Sequence, residues 1–124
     1  MAELYEFTDE NFQAQVLEIS HHQPVLVDFT AEWCGPCHML APVVARLNEE
    51  WAGTVKVGHL DIDAHLQTTT AYDVLSIPTL ILFKKGLVAE RVMGFNSRER
   101  ILAPPSPRRR APRLRQSEKV AHRL

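Results

Sequence analysis

Cys34 and Cys37 are the only cysteines in the 124-residue chain, and two residues separate them. Side chains three apart at the start of a helix are neighbours. They are close enough to close a disulfide with little strain and to reopen it. A helix N-terminus adds unpaired N–H groups and partial positive charge, and both favour a thiolate at the first cysteine. The chemistry this predicts is thiol–disulfide exchange. Cys34, expected to be the more exposed, attacks a disulfide in another molecule and forms a mixed disulfide. Cys37, one turn deeper, then attacks that bond and releases the reduced target. Cys37 needs a proton acceptor for its step, and Asp28 is the candidate. It sits six residues before Cys34 in an apolar stretch, where burial should raise its pKa towards neutrality. Between the cysteines, Pro36 suits a first helical turn and Gly35 lets another chain approach closely.

The pair has other possible uses. Two thiols can serve as small buried hydrophobes. A zinc site needs two further ligands, and His21, His22, His38 and His59 come with no second CxxC, so no metal is expected. Cys34-Gly35-Pro36-Cys37-His38 also fits the C-x-x-C-H of haem attachment. That use goes with exported, mostly helical proteins, and neither property is visible here.

The elements that must position these residues follow from the hydrophobic pattern. Residues 4–7 suit a short edge strand. Residues 9–20 read as an amphipathic helix, with Phe12, Val16 and Ile19 at helical spacing and Thr8 as N-cap. The run at 25–29 is apolar and β-branched, a buried central strand that carries Asp28 as its one charge. The pattern over 34–50 is helical, with Pro42 inside it as a kink. A second buried strand at 54–62 and a shorter helix at 64–72 complete a strand–helix–strand–helix series, which implies parallel neighbours. Residues 79–83 and 87–93 form a hairpin about Lys85-Gly86. A last helix begins at 96–102, where Pro104-Pro105 stops it.

The rest of the composition sets bounds. Hydrophobic residues make up 45% and charged residues 23%, ordinary values for a single globular domain. The net charge of −1 hides an asymmetry. Residues 1–102 hold 14 acidic and 7 basic side chains, while residues 103–124 hold 7 basic and one acidic. The reading is therefore a domain at 1–102 and a basic, Pro/Arg-rich, disordered tail at 103–124. No aromatics are interleaved with the tail's arginines for base stacking, so nucleic acid is not an expected partner beyond weak attraction. No apolar run approaches the ~18 residues that cross a bilayer, and the N-terminus lacks the basic start and apolar stretch of a secretory signal. The expected location is the cytoplasm, where thiols stay reduced.

Val25-Leu26-Val27-Asp28-Phe29-Thr30-Ala31-Glu32-Trp33-Cys34-Gly35-Pro36-Cys37 closely resembles the active-site signature of the thioredoxin family. The likeness continues through Met39, Ala41-Pro42, Asp61-Ile62-Asp63, Ile77-Pro78-Thr79, Phe83-Lys84-Lys85-Gly86 and Gly94. The resemblance implies an α/β thioredoxin fold, a central mixed sheet flanked by helices, here with its last helix truncated. It implies a general protein disulfide reductase with no bound cofactor, recharged by NADPH through a thioredoxin reductase and acting on disulfide-containing proteins. It implies that Pro78 is a cis-proline against the disulfide and that the backbone of Ile77 pairs with an extended target segment. Trp33, Gly35, Pro36, Ile77, Pro78 and Gly94 would form the docking surface. The chain departs from the family pattern at Thr30, at His38 and His59, where basic residues are usual, and at the shortened last helix. The alternative reading is a thioredoxin-like binding or folding module whose redox cycling is impaired by that altered end.

Overall fold

The apolar stretch around Asp28 lies where its composition requires, in the middle of a sheet. A computed structural model describes residues 4–94. The helix expected at 96–102, its truncation, the tail at 103–124 and the boundary between domain and tail lie outside the described residues. Five strands form one sheet: β1 (Tyr5–Glu6), β2 (Val25–Thr30), β3 (Lys56–Asp61), β4 (Thr79–Lys84) and β5 (Leu87–Met93). Their spatial order is β1-β3-β2-β4-β5. β1, β3 and β2 are parallel, while β4 runs antiparallel to β2 and β5 antiparallel to β4. Helix α1 (Gly35–Glu50) makes the crossover from β2 to β3, and α2 (Leu66–Ala71) follows β3. α1 runs through Pro42 as one helix. Among the described residues no helix is long and apolar enough to cross a membrane.

Strand alternation divides β2 between two cores. Val25, Val27 and Phe29 join Phe7, Leu60, Ile81 and Phe83 on one face. Leu26 joins Val57 and Leu80 on the other, packed on Leu40, Val44 and Leu47 of α1. Asp28 therefore belongs to the α1 face, two residues beyond Leu26 towards the end of β2 where α1 begins. Cys37, Leu40, Val44 and Leu47 form the buried stripe of α1, at helical spacing. The sulfur end of that stripe and the carboxylate of β2 are thus brought to the same end of the same interface.

The N-terminal helical segment differs from the regular α-helix expected over 9–20. Thr8 does cap it: the Asn11 N–H donates to Thr8 Oγ1 at 3.0 Å, and the Thr8 N–H donates back to Asn11 Oδ1 at 2.8 Å. Beyond the cap, Gln13–Glu18 winds as a π-helix and Ile19–His21 as a 3-10 turn. The buried positions explain this. Phe12, Val16 and Ser20 repeat every four residues, more than the 3.6 of an α-helix, and wider winding keeps them on one side. Ser20 then holds the hairpin. Its hydroxyl accepts from the Gly86 N–H at 2.7 Å, and its carbonyl accepts from the Lys85 N–H at 2.8 Å. Lys85 and Gly86 have φ of 54° and 79°, the mirror-image turn that matches strand twist.

Asp9 supplies a contact that no local pattern shows. Its carboxylate accepts from the backbone N–H groups of Gln67 at 3.3 Å and Thr68 at 2.8 Å, and from the Thr68 hydroxyl at 2.6 Å. It caps α2 from more than fifty residues away. Burial raises its pKa, but the Thr68 and Gln67 hydrogen bonds outweigh that and leave it below the ordinary carboxylate value.

Gly58 is the tightest point of the sheet. A Cβ there would fall on the Tyr5 carbonyl oxygen and stand 2.9 Å from Cζ of the buried Phe7 ring. Backbone and a core ring cannot both yield. Gly58→Ala is therefore expected to cost about 2–4 kcal/mol of stability, read as a lowered urea midpoint. An unchanged midpoint would show that β1 can lift off β3 at little cost.

Candidate active site

The site is built where β2 ends and α1 begins. Cys34 is the N-cap of α1, with extended backbone (φ −91°, ψ 109°), and Gly35 and Pro36 are the first two helical residues. The proline's missing N–H is one that a first turn does not use. Cys34 and Cys37 are joined as a disulfide, with their Cα atoms 5.3 Å apart. The Cys37 N–H donates to Cys34 Sγ at 3.2 Å, so the sulfur of Cys34 occupies the position that a Ser or Asp oxygen takes in an ordinary N-cap.

One expectation needs correction. Cys34 was expected to be the more exposed of the two, yet both are 4% exposed in this oxidised form. The closed bond draws both residues into a cluster with Ala31, against which Ile62 and Ile77 pack. In place of a difference in cover, the two sulfurs differ in bonding: Cys34 Sγ accepts the helix N–H.

Around the sulfurs the residues singled out from the sequence converge from three segments. Trp33 is 68% exposed, and its Nε1–H donates to Asp63 Oδ2 at 2.7 Å. The Asp63 N–H in turn donates to Asp61 Oδ1 at 2.9 Å. Ile77–Pro78 is a cis peptide. Pro78 is buried, and its carbonyl accepts from the Gly94 N–H at 2.8 Å. Gly94 has φ +81°, so the chain leaves β5 in a conformation that favours glycine. Gly35 and Pro36 are exposed at the helix start.

Asp28 is 5% exposed, and its Oδ1 is fully enclosed with no hydrogen-bond partner. Burial pushes its pKa up to about 7, because an apolar surround penalises the charged form. In the parallel ladder Asp28 aligns with His59, and alternation puts both on the α1 face. His59 lines a cleft of about 270 Å³ together with Glu6, Thr30, Glu32, His38 and Asp61. His38 Nε2 lies 2.7 Å from the Glu32 carbonyl oxygen. Among the described residues no group of three or more His, Cys, Asp or Glu is arranged to hold a metal ion.

Sequence reasoning gave no role to Asp63 or Ile62. Asp63 accepts from the indole N–H of Trp33, and Ile62 packs against the cluster of Ala31, Cys34 and Cys37. Both follow the end of β3, which lies beside the end of β2 only because the two strands are parallel neighbours. The signals present were their place just past an apolar strand and the Asp61-Ile62-Asp63 run within the family resemblance.

The geometry can be set beside known proteins. The family profile described as thioredoxin matches residues 3–104. A thioredoxin of Alicyclobacillus acidocaldarius subsp. acidocaldarius is 45% identical over 96 residues, 77% of this chain and 89% of that protein. Thioredoxin C-2 of Corynebacterium nephridii is 44% identical over 96 residues, 77% of this chain and 87% of that one. A Mycobacterium leprae protein named bifunctional thioredoxin reductase/thioredoxin is 42% identical over 97 residues, which make up 21% of its length. A family profile over most of the chain and identity at this level, together with the Cys34–Cys37 disulfide at a helix start, mean that the chain belongs to the thioredoxin family and is a protein disulfide reductase.

Proposed function

We propose that the Cys34–Cys37 disulfide is the oxidised half of a cycle in which reduced Cys34 is the nucleophile, Cys37 the resolving thiol and Asp28 the proton acceptor. The single observation that carries this assignment is the Cys37 N–H directed at Cys34 Sγ. A charge-assisted hydrogen bond and the partial positive charge of a 16-residue helix both stabilise a thiolate at that sulfur. The Cys34 thiolate attacks one sulfur of a target disulfide, and the other target sulfur leaves as a thiolate that takes a proton from solvent. Cys37 then attacks Cys34 Sγ and expels the second target thiol. The net exchange is dithiol plus target disulfide to protein disulfide plus target dithiol. Asp28, poised near neutrality, takes the Cys37 proton as that sulfur becomes a nucleophile.

Targets dock on Trp33, Gly35, Pro36, Ile77, Pro78 and Gly94. The Ile77 backbone adds an extended target segment edge to edge. The packing of Ile77 against the cysteine cluster and the hydrogen bond from Gly94 to Pro78 support this reading. The disulfide is returned to the dithiol by a thioredoxin reductase drawing on NADPH. The relative that carries both activities in one name supports such a pairing. The place of action is the cytoplasm, where a reducing pool keeps thiols available.

Three outcomes test these roles. Cys34→Ser should abolish insulin reduction above the dithiothreitol background, while Cys37→Ser should accumulate covalent mixed disulfides visible on non-reducing gels. Equal activity of Cys34→Ser and the native chain would reject the nucleophile assignment. Asp28→Asn should slow release of the mixed disulfide about tenfold or more near pH 7. The gap should close above about pH 9, where a free thiol ionises unaided. Stopped-flow rates equal to wild type at pH 7 would remove Asp28 as base. The same variant tests the burial of the carboxylate. Folded Asp28 holds its proton up to about pH 7, whereas the unfolded chain releases it near 3.8. Its contribution to stability is therefore full below pH 3.8 and is lost as pH rises through 7. At pH 8 Asp28→Asn should be the more stable protein, by up to about 4 kcal/mol, with little difference below pH 4. Parallel denaturation curves at both pH values would contradict a buried ionising group.

A further inference from the structure

The exposed apolar side chains are not spread evenly. Of the seven large ones among the described residues, five lie at one end of the sheet: Trp33, Met39, Leu66, Leu75 and Met93. This is the end where β2, β3 and β5 finish, β4 starts, and α1 and α2 begin. Leu75 is the extreme at 92% exposed, two residues before the Ile77–Pro78 cis peptide. Slack in the chain does not account for it, because the segment is held on both sides. Asp73, at φ 54°, turns the chain, and its N–H donates to the Thr70 carbonyl at 3.1 Å. Val74 is buried in the core, with its N–H on the Thr69 carbonyl at 3.1 Å. The Thr79 hydroxyl donates to the Ser76 carbonyl at 2.7 Å. An anchored loop thus presents a leucine to water two residues before Ile77, which packs against the cysteine cluster. Isolated surface leucines are ordinary; a concentration at one functional end marks a contact surface.

Charge differs between the two ends: the exposed lysines lie away from the site, where Glu49 and Glu50 at the close of α1 accompany them, while the exposed charges next to the cysteine motif are carboxylates. Glu32 and Asp63 are exposed next to the ends of β2 and β3, and Asp73 is exposed two residues before Leu75. Of the five Lys and Arg among the described residues, Lys56 opens β3, while Lys84 and Lys85 close β4 and its turn, all at the opposite end. Arg46 lies in the later half of α1, and Arg91 is set back two residues from the end of β5. An apolar surface rimmed by carboxylates complements a segment that is apolar and cationic.

We propose that Leu75 is a specificity residue for disulfide exchange. It receives an apolar side chain next to the target's disulfide, and the acidic surround favours targets with Lys or Arg in that segment. This rests on the reductase reading above and adds the class of target. It extends the docking surface from the cis-proline loop to a residue that neither the cysteine motif nor the apolar periodicity singles out.

Three peptides, each with one disulfide, test it. The segment beside the disulfide carries Leu with Lys, Ser with Lys, or Leu with Glu. The reduced full chain should reduce the Leu–Lys peptide with a kcat/KM about five- to tenfold above each of the others, chiefly through KM. Leu75→Ser should collapse the Leu-over-Ser ratio towards one while keeping the Lys-over-Glu ratio. Asp73→Asn tolerates the positive φ and removes a charge. It should lower the Lys-over-Glu ratio, as should raising salt from 50 to 500 mM. Equal kcat/KM for all three peptides, or a Leu-over-Ser ratio that survives Leu75→Ser, would overturn the proposal and leave the reductase reading standing. No reduction of any peptide would sink both. Sedimentation of the native chain adds a last outcome: a concentration-dependent dimer that Leu75→Ser dissolves would assign the face to a second copy and overturn the target reading.

Discussion

One N–H···S hydrogen bond organises this molecule. For the Cys37 amide to reach Cys34 Sγ, Cys34 must be the N-cap of a helix and Cys37 must be on its first turn. That requires β2 to end just before the motif and the helix to be long enough and well enough buried to hold its first turn in place. The stripe of Leu40, Val44 and Leu47 against Leu26, Val57 and Leu80 supplies that hold. The helix dipole and the free first-turn amides then act on a sulfur that is fixed in position, which is the condition for electrostatic activation to be worth more than it is in water.

The same interface carries a cost. Asp28 is enclosed on the α1 face with an unpartnered oxygen, and burial holds its pKa near 7. A carboxylate there destabilises the fold at neutral pH, where a neutral side chain would not. Local instability concentrated beneath a reactive pair is what a proton acceptor working near pH 7 entails. The remainder of the structure offsets it by ordinary means: two apolar cores on either side of β2, a Ser20 hydroxyl and carbonyl that pin the hairpin, and Asp9 capping α2 from a distance.

Polarity along the strand axis separates stability from recognition. The end opposite the sulfurs collects the lysines and the β4–β5 turn. The sulfur end collects exposed Trp33, Leu75 and Met93, the cis-proline loop and the carboxylates of Glu32 and Asp63. Parallel strands joined by helices put all their loops of one sense at the same end, so a single topology gathers segments far apart in sequence around one point. The residues about the disulfide come from the β2–α1 junction, the end of β3, the loop before β4 and the end of β5.

Local spacing and residue type determined much of this protein. The CxxC at a helix start, the buried strand bearing Asp28, the parallel β2–α1–β3 unit and the Lys85-Gly86 hairpin were all legible, because each depends on neighbours within a few residues. Tertiary structure decided what depends on distant segments. It placed Asp63 against Trp33 and Asp9 against α2, and it aligned His59 with Asp28. It wound residues 13–18 more widely than an α-helix so that Phe12, Val16 and Ser20 share one side. It also buried both cysteines equally, where the sequence suggested an outer and an inner one. Exposure depends on what other strands and loops lay over a residue, and neither a two-residue spacing nor an apolar period carries that information.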